Sequence, residues 1–112
     1  MDNQHYNVLS LTIQNKTSLH ASYMPFLKGG GLFVPTDDNY SFGDEVVVIT
    51  NIVYLSKKIA IPAKVVWITP KSGSSGQGVG VNFFGPTQLK VKLAIESILG
   101  DLAKKPALNH NY

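Results

Sequence analysis

Hydrophobic and polar residues alternate from Val8 to Gln14, "VLSLTIQ": Leu9, Leu11 and Ile13 fall on one face, Ser10, Thr12 and Gln14 on the other. That period predicts a half-buried strand. Asn15-Lys16-Thr17 reads as a turn into a second strand near Ser18 to Met24. Pro25 cannot donate to a ladder, so pairing should end or bulge there. Gly29 to Gly31 follow, then a short apolar strand, Leu32-Phe33-Val34, stopped by Pro35 and a polar turn, Thr36 to Asn39. Gly43-Asp44 turns the chain into a long strand from Glu45 to about Val53, and Tyr54 to Lys58 looks like a connection. Ile59, Ile61, Ala63, Val65 and Trp67 share one face of the next strand. "PKSGSSGQG", Pro70 to Gly78, is a flexible loop by composition. Val79, Val81 and Phe83 then alternate with Gly80, Asn82 and Phe84. About six short strands result, and closure into an antiparallel barrel or sandwich would remove their edges.

The period changes only at the end. From Thr87 to Ala103, the residues Val91, Ala94, Ile95, Ile98, Leu99 and Leu102 form one helical stripe, with Pro86 suited to the start and Pro106 to the stop. Leu89 and Leu93 fall on the opposite side. Either the first turn is buried on two sides, or these leucines are an exposed contact for a partner. Residues 1–7 read as a short N-terminal extension, 8–103 as one domain, and 104–112 as a mobile tail without periodicity.

With 112 residues, one domain can bury a real core. The absence of cysteine removes disulfides, thiolate metal sites and a cysteine nucleophile. No apolar run approaches the roughly 20 residues of a membrane span, and no signal peptide is read at the polar N-terminus. A cytoplasmic chain without membrane insertion is expected.

The net charge of +3 is mild for nucleic-acid binding, and all ten basic residues are lysines. Arginine, the usual bidentate reader of guanine and phosphate, is missing. The lysines are dispersed, which reads as solvated surface charge. His5, His20 and His110 lack metal-ligand spacing, and the carboxylates sit mostly in turns or on the helix. Gly76-Gln77-Gly78-Val79-Gly80 superficially matches a dinucleotide fingerprint, but a strand follows where that motif needs a helix. No catalytic, metal or cofactor constellation emerges, so the chain reads as a binding module and not an enzyme.

The motif order is then informative: "GGGLFVPT", a "GDEVVV" strand start, "AKVVWITP", "GVGVNFF" and an amphipathic C-terminal helix. Over about Val8 to Ala103 this resembles the PilZ domain, which implies an all-β fold with one C-terminal helix, a six-stranded antiparallel β-barrel. "LSLTI", "YMPFLKGGGLFVPT" and "KVVWITPK" are similar to stand-alone family members of type IV pilus assembly. Most PilZ domains are cyclic di-GMP receptors with an R-x-x-x-R pair and a D/N-x-S-x-x-G turn. This chain lacks the arginines outright. If Gly31 aligns with the terminal glycine, Lys28 stands in the serine position and Phe26 in the acidic or amide position, leaving a degenerate ligand turn.

The resemblance therefore implies a non-enzymatic adaptor in type IV pilus biogenesis and twitching motility. Its partners would be the pilus extension ATPase and an EAL-domain cyclic di-GMP receptor. Tyr23, Met24, Pro25, Phe26 and Lys28, with Leu89 and Leu93, are the candidate partner-binding residues. The alternative use of Tyr23 and Phe26 is to plug the barrel mouth. Gly31 is expected at positive φ, freeing the turn before Leu32. Two competing functions stand beside the adaptor. One is a direct cyclic di-GMP receptor with a divergent site using Lys28 or Lys64. The other is a basic barrel for single-stranded nucleic acid, which the low charge and dispersed lysines disfavour.

Overall fold

The computed structural model describes residues 7–71, 76–107 and 110–112. Residues 72–75 of the expected loop, 1–6 of the N-terminal extension and 108–109 of the tail lie outside the described residues. The strand β1 (Val8–Ile13) alternates as its sequence predicts, with Leu9, Leu11 and Ile13 buried.

The next element is a correction. The expected second strand near Ser18 to Met24 is instead helix α1 (Lys16–Ser22). Asn15, read as a turn residue, is its N-cap: its backbone is extended (φ −158°, ψ 171°) and its Oδ1 accepts a 2.9 Å bond from the Ser18 N–H. A side-chain acceptor on an otherwise orphaned donor starts a helix, and here it prevails over the alternation of Leu19, Ala21 and Tyr23 that reads as a strand. Only Tyr23 keeps strand character, in an isolated antiparallel bridge to Leu32.

The strands β2 (Gly31–Pro35), β3 (Glu45–Ile52), β4 (Lys57–Thr69) and β5 (Gly78–Phe83) complete one sheet in the order β1-β3-β4-β5-β2. The fold is mostly β with a C-terminal helix, and its five described strands form a half-barrel. The expected antiparallel set of six does not hold among the described residues. Helix α1 replaces one strand, and β1 runs parallel to β3, from Val8 opposite Val47 to Ile13 opposite Ile52. Parallel neighbours need a long crossover, here supplied by α1 and β2.

Strand β4 serves both halves of the sheet, pairing with β3 up to Lys64 and with β5 from Ala63 onward. Pro62 is tolerated in its middle. Its carbonyl accepts from Phe84, just past the end of β5, so its missing N–H falls where no ladder remains. A bulge between Val65 and Trp67 corrects a second expectation. The extra residue turns Trp67 out of the face shared by Ile61, Ala63 and Val65, opposite Gly80 on the outer side.

The core fills the concave side. Helix α2 (Gln88–Leu99) contributes Val91, Ile95 and Leu99 to it, continued by a 3-10 helix over Gly100–Lys104. The outer side of β5 is covered too. Gly78 and Gly80 are its outward positions, and a Cβ at Gly80 would stand 2.6 Å from Trp67 Cβ and 2.8 Å from Met24 Sδ. One at Gly78 would stand 2.8 Å from Phe33 Cε2. The glycine run once resembling a nucleotide motif thus makes room for a second apolar layer. No described helix is long and apolar enough to cross a membrane.

Tyr23 joins these layers. Its ring is 2% exposed, and its hydroxyl donates a 2.7 Å bond to Glu96 Oε2 on α2, which also pairs with Lys92 at 3.0 Å. The Tyr23 bond, then the Lys92 bond, holds the Glu96 carboxyl below its ordinary range. Desolvation, with Glu96, pushes the Tyr23 phenol well up. Removing the hydroxyl in Tyr23→Phe should cost ~1–3 kcal/mol near neutral pH, as for a bond to a charged acceptor. A depressed carboxyl stabilises the fold above its unfolded value, about 4.3, and loses that contribution as pH falls through the lower folded value. Urea melts across the acid range should therefore show the wild-type advantage over Tyr23→Phe shrinking below about pH 4. A constant difference down to full protonation would show that Glu96 does not carry it.

Candidate functional site

The segment between α1 and β2 is the stretch the sequence singled out, and backbone bonds fold it tightly. Met24 donates to the Gly31 carbonyl (2.9 Å), Leu27 to Met24 (3.3 Å) and Gly30 to Leu27 (2.8 Å). The left-handed residues are Gly29 (φ 82°) and Gly30 (φ 86°), not Gly31 as expected. Gly31 is already in β2, and its constraint is space. A Cβ there would overlap the Val81 carbonyl and stand 2.6 Å from Leu27 Cδ1. Close backbone approach needs glycine as firmly as positive φ does.

Two side chains that sequence reasoning missed hold this turn. Asn82 on β5 donates through Nδ2 to the carbonyls of Lys28 and Gly30, both at 2.9 Å. Gln88 at the start of α2 donates through Nε2 to the Phe83 carbonyl, and to that of Lys28 at 3.5 Å. Neither residue carries a local signal, because each acts on a segment more than fifty positions away. The loop carbonyls are therefore engaged by the protein itself.

The candidate partner-binding residues separate by exposure. Tyr23 and Met24 are interior, which corrects their assignment to a contact surface: Tyr23 plugs the space between α1, β2 and α2, and Met24 lies over Gly80. Pro25, Phe26 and Lys28 are exposed. Phe26 is 58% exposed, yet its ring lies 6.2 Å from that of Trp67 and 5.8 Å from that of Tyr112, between centroids. Leu89 (64%) and Leu93 (53%) lie on the outer side of α2, so the first helical turn is not buried on two sides. The neighbouring Gln88 and Lys92 flank Gly29 and Gly30, which puts the leucines beside the loop.

The end of the chain joins this surface. The tail expected to be mobile makes defined contacts at its last residues. Asn111 donates from its backbone to Ala21 O (3.0 Å) and from its side chain to Ser22 Oγ (2.7 Å). Tyr112 meets Phe26, Trp67 and Phe33, with its phenol pushed up by burial. Phe33, itself 2% exposed, is the floor of that aromatic group.

Little polar chemistry faces this surface. Lys28 is the loop's cation; Lys64 stands opposite Asn82 across β4 and β5, with Nζ 5.4 Å from the Phe84 ring centroid. No group of histidines and carboxylates suited to a metal occurs among the described residues.

Gly31→Val should lower stability by ~1–3 kcal/mol through overpacking against Val81 and Leu27, measured by denaturant melts; an unchanged midpoint would mean that the approach is not tight. Tyr112→Ala should uncover Trp67, read as a red shift of its emission with the fold intact. An unshifted spectrum would show that the tail does not cover the indole.

The PilZ domain family model matches residues 6–100, from just before β1 through α2. No curated protein matches the chain. Domains of this kind are generally non-catalytic binding domains, and no enzymatic family is indicated. A half-barrel closed by a C-terminal helix, with a glycine turn entering β2 and a match across all five strands, makes this chain a member of the PilZ domain family.

Proposed function

We propose that this chain is a non-enzymatic adaptor of type IV pilus assembly and twitching motility, acting in the cytoplasm. It binds partner proteins and does not itself bind cyclic di-GMP. Family membership implies a domain of the cyclic di-GMP-binding type or an adaptor. The observation that favours the adaptor is the composition of the ligand turn. Phe26 projects into solvent where the family's turn has an acidic or amide residue, and no arginine exists anywhere in the chain to grip guanine or phosphate. Asn82 and Gln88 already occupy the turn's carbonyls.

In this reading the partners are a pilus extension ATPase and an EAL-domain cyclic di-GMP receptor, through which the nucleotide signal reaches the chain. Pro25, Phe26 and Lys28, with Leu89 and Leu93, form the contact surface. Exposed apolar groups beside a fixed turn suit a protein interface, where aromatic anchors dominate the energy.

Calorimetry with cyclic di-GMP should show no heat of binding; saturable binding with a micromolar Kd would overturn the proposal in favour of a divergent receptor. Phe26→Ala should cost ~2 kcal/mol or more of partner affinity if Phe26 is an anchor. Its effect on folding should be under about 1 kcal/mol, since the ring is mostly exposed. Intact capture of both partners by this variant would place their contacts elsewhere.

A further inference from the structure

A second surface lies away from the loop, between the start of β4 and the first turns of α2. It is a groove of about 290 Å³. Lys57, Lys58 and Lys90 line it together with Ile59, Val91 and Ala94. The lysines are exposed, while Ile59 and Ala94 are half-buried and Val91 belongs to the core. No carboxylate is among the groove's lining residues. Among the described residues the ion pair is Lys92–Glu96, which leaves these three lysines out. Like charges gathered around a cleft repel one another, and a surface built for solubility alone intersperses its signs. The sequence shows dispersed lysines; folding brings Lys90 to the Lys57-Lys58 pair.

We propose that this groove docks an acidic segment of a partner protein, with carboxylates on the lysine rim and an apolar side chain on the Ile59, Val91 and Ala94 floor. The inference deepens the adaptor reading and rests on it in taking the occupant to be a protein. Charge complementarity selects the acidic partner, since among the described residues none of the three ammonium groups is paired with a carboxylate. The floor selects an apolar side chain, because lysine stems extend apolar surface upward from it while their charged heads stay wet. A single-stranded nucleic acid would need aromatic platforms, and none lines the groove. A lipid headgroup layer presents a plane, whereas this surface is concave.

The test pans a phage-displayed library of random peptides on the immobilised full-length protein. The enriched peptides are then synthesised and titrated into isotope-labelled protein. Enriched sequences should combine Asp or Glu with Leu or Phe, and should shift the amide resonances of Lys57 to Ala60, Thr87 and Lys90 to Ala94. The K57E/K58E/K90E variant should lose roughly tenfold or more in affinity. Ala60→Glu, which introduces a carboxylate at an exposed lining position, should lose affinity in the same direction and guards against misfolding of the triple variant. The proposal falls if no peptide enriches, if enriched peptides lack carboxylates, or if both variants bind as wild type. It also falls if oligo-dT or phosphatidylglycerol vesicles occupy the same residues more tightly than the peptides. Those results leave the adaptor reading standing, because that reading fails separately, on cyclic di-GMP binding to the wild-type protein.

Discussion

Burial of Tyr23 is the constraint on which the site depends. Its backbone N–H caps the end of α1 by donating to Leu19 O, and its strand-like conformation bridges Leu32 at the start of β2. Its hydroxyl, the polar tip of a ring otherwise surrounded by core, finds Glu96 on α2. A buried phenol without that acceptor would forfeit a bond to water and gain nothing in return. One residue therefore fixes a helix end, a strand edge and a helix face at once. The glycine turn beginning six residues later inherits its position from that anchor.

The second constraint is that part of the sheet is dry on both sides. Alternating glycines at Gly78 and Gly80 lower the outer surface of β5 by the height of a side chain, and Met24, Phe33 and Trp67 settle into the space. The β4 bulge supplies Trp67 to that layer by reversing its side. An outer layer of this kind needs a covering, and Phe26 and Tyr112 provide part of it while keeping their own edges in solvent. The site's aromatic character is thus a consequence of sheet architecture and not an isolated patch.

Much of this was legible. The period of two in β1 and β5 and the helical stripe Val91, Ile95, Leu99 marked the core directly, because each depends only on local geometry. Helix α1 was misread because it is a short element with one deeply buried apolar residue, Leu19, too few for a period to show. Its start was nonetheless written in Asn15, a residue equally at home in a turn and at an N-cap. Trp67 was misplaced because a bulge breaks the period without any mark in composition. Gly31 was recognised as obligatory for the wrong reason: backbone freedom resides in Gly29 and Gly30, and its own role is clearance. The bonds from Asn82 and Gln88 to the loop could not be read at all, since they join segments remote in sequence.

A glycine turn keeps one shape only if something holds it. In a nucleotide-binding turn the bound phosphates could satisfy donors and draw the loop together. Here the donors are Asn82 Nδ2 and Gln88 Nε2, and the turn's own carbonyls are the acceptors, so order comes from within the chain. Phe26 and Lys28 are not needed to hold the turn, and both are exposed. Exposed side chains on a prefixed backbone lose little conformational entropy on meeting a partner, which favours association per unit of buried area. Two parts of the surface offer such side chains: Phe26, Leu89 and Leu93 supply apolar area, and the Lys57, Lys58 and Lys90 rim supplies charge.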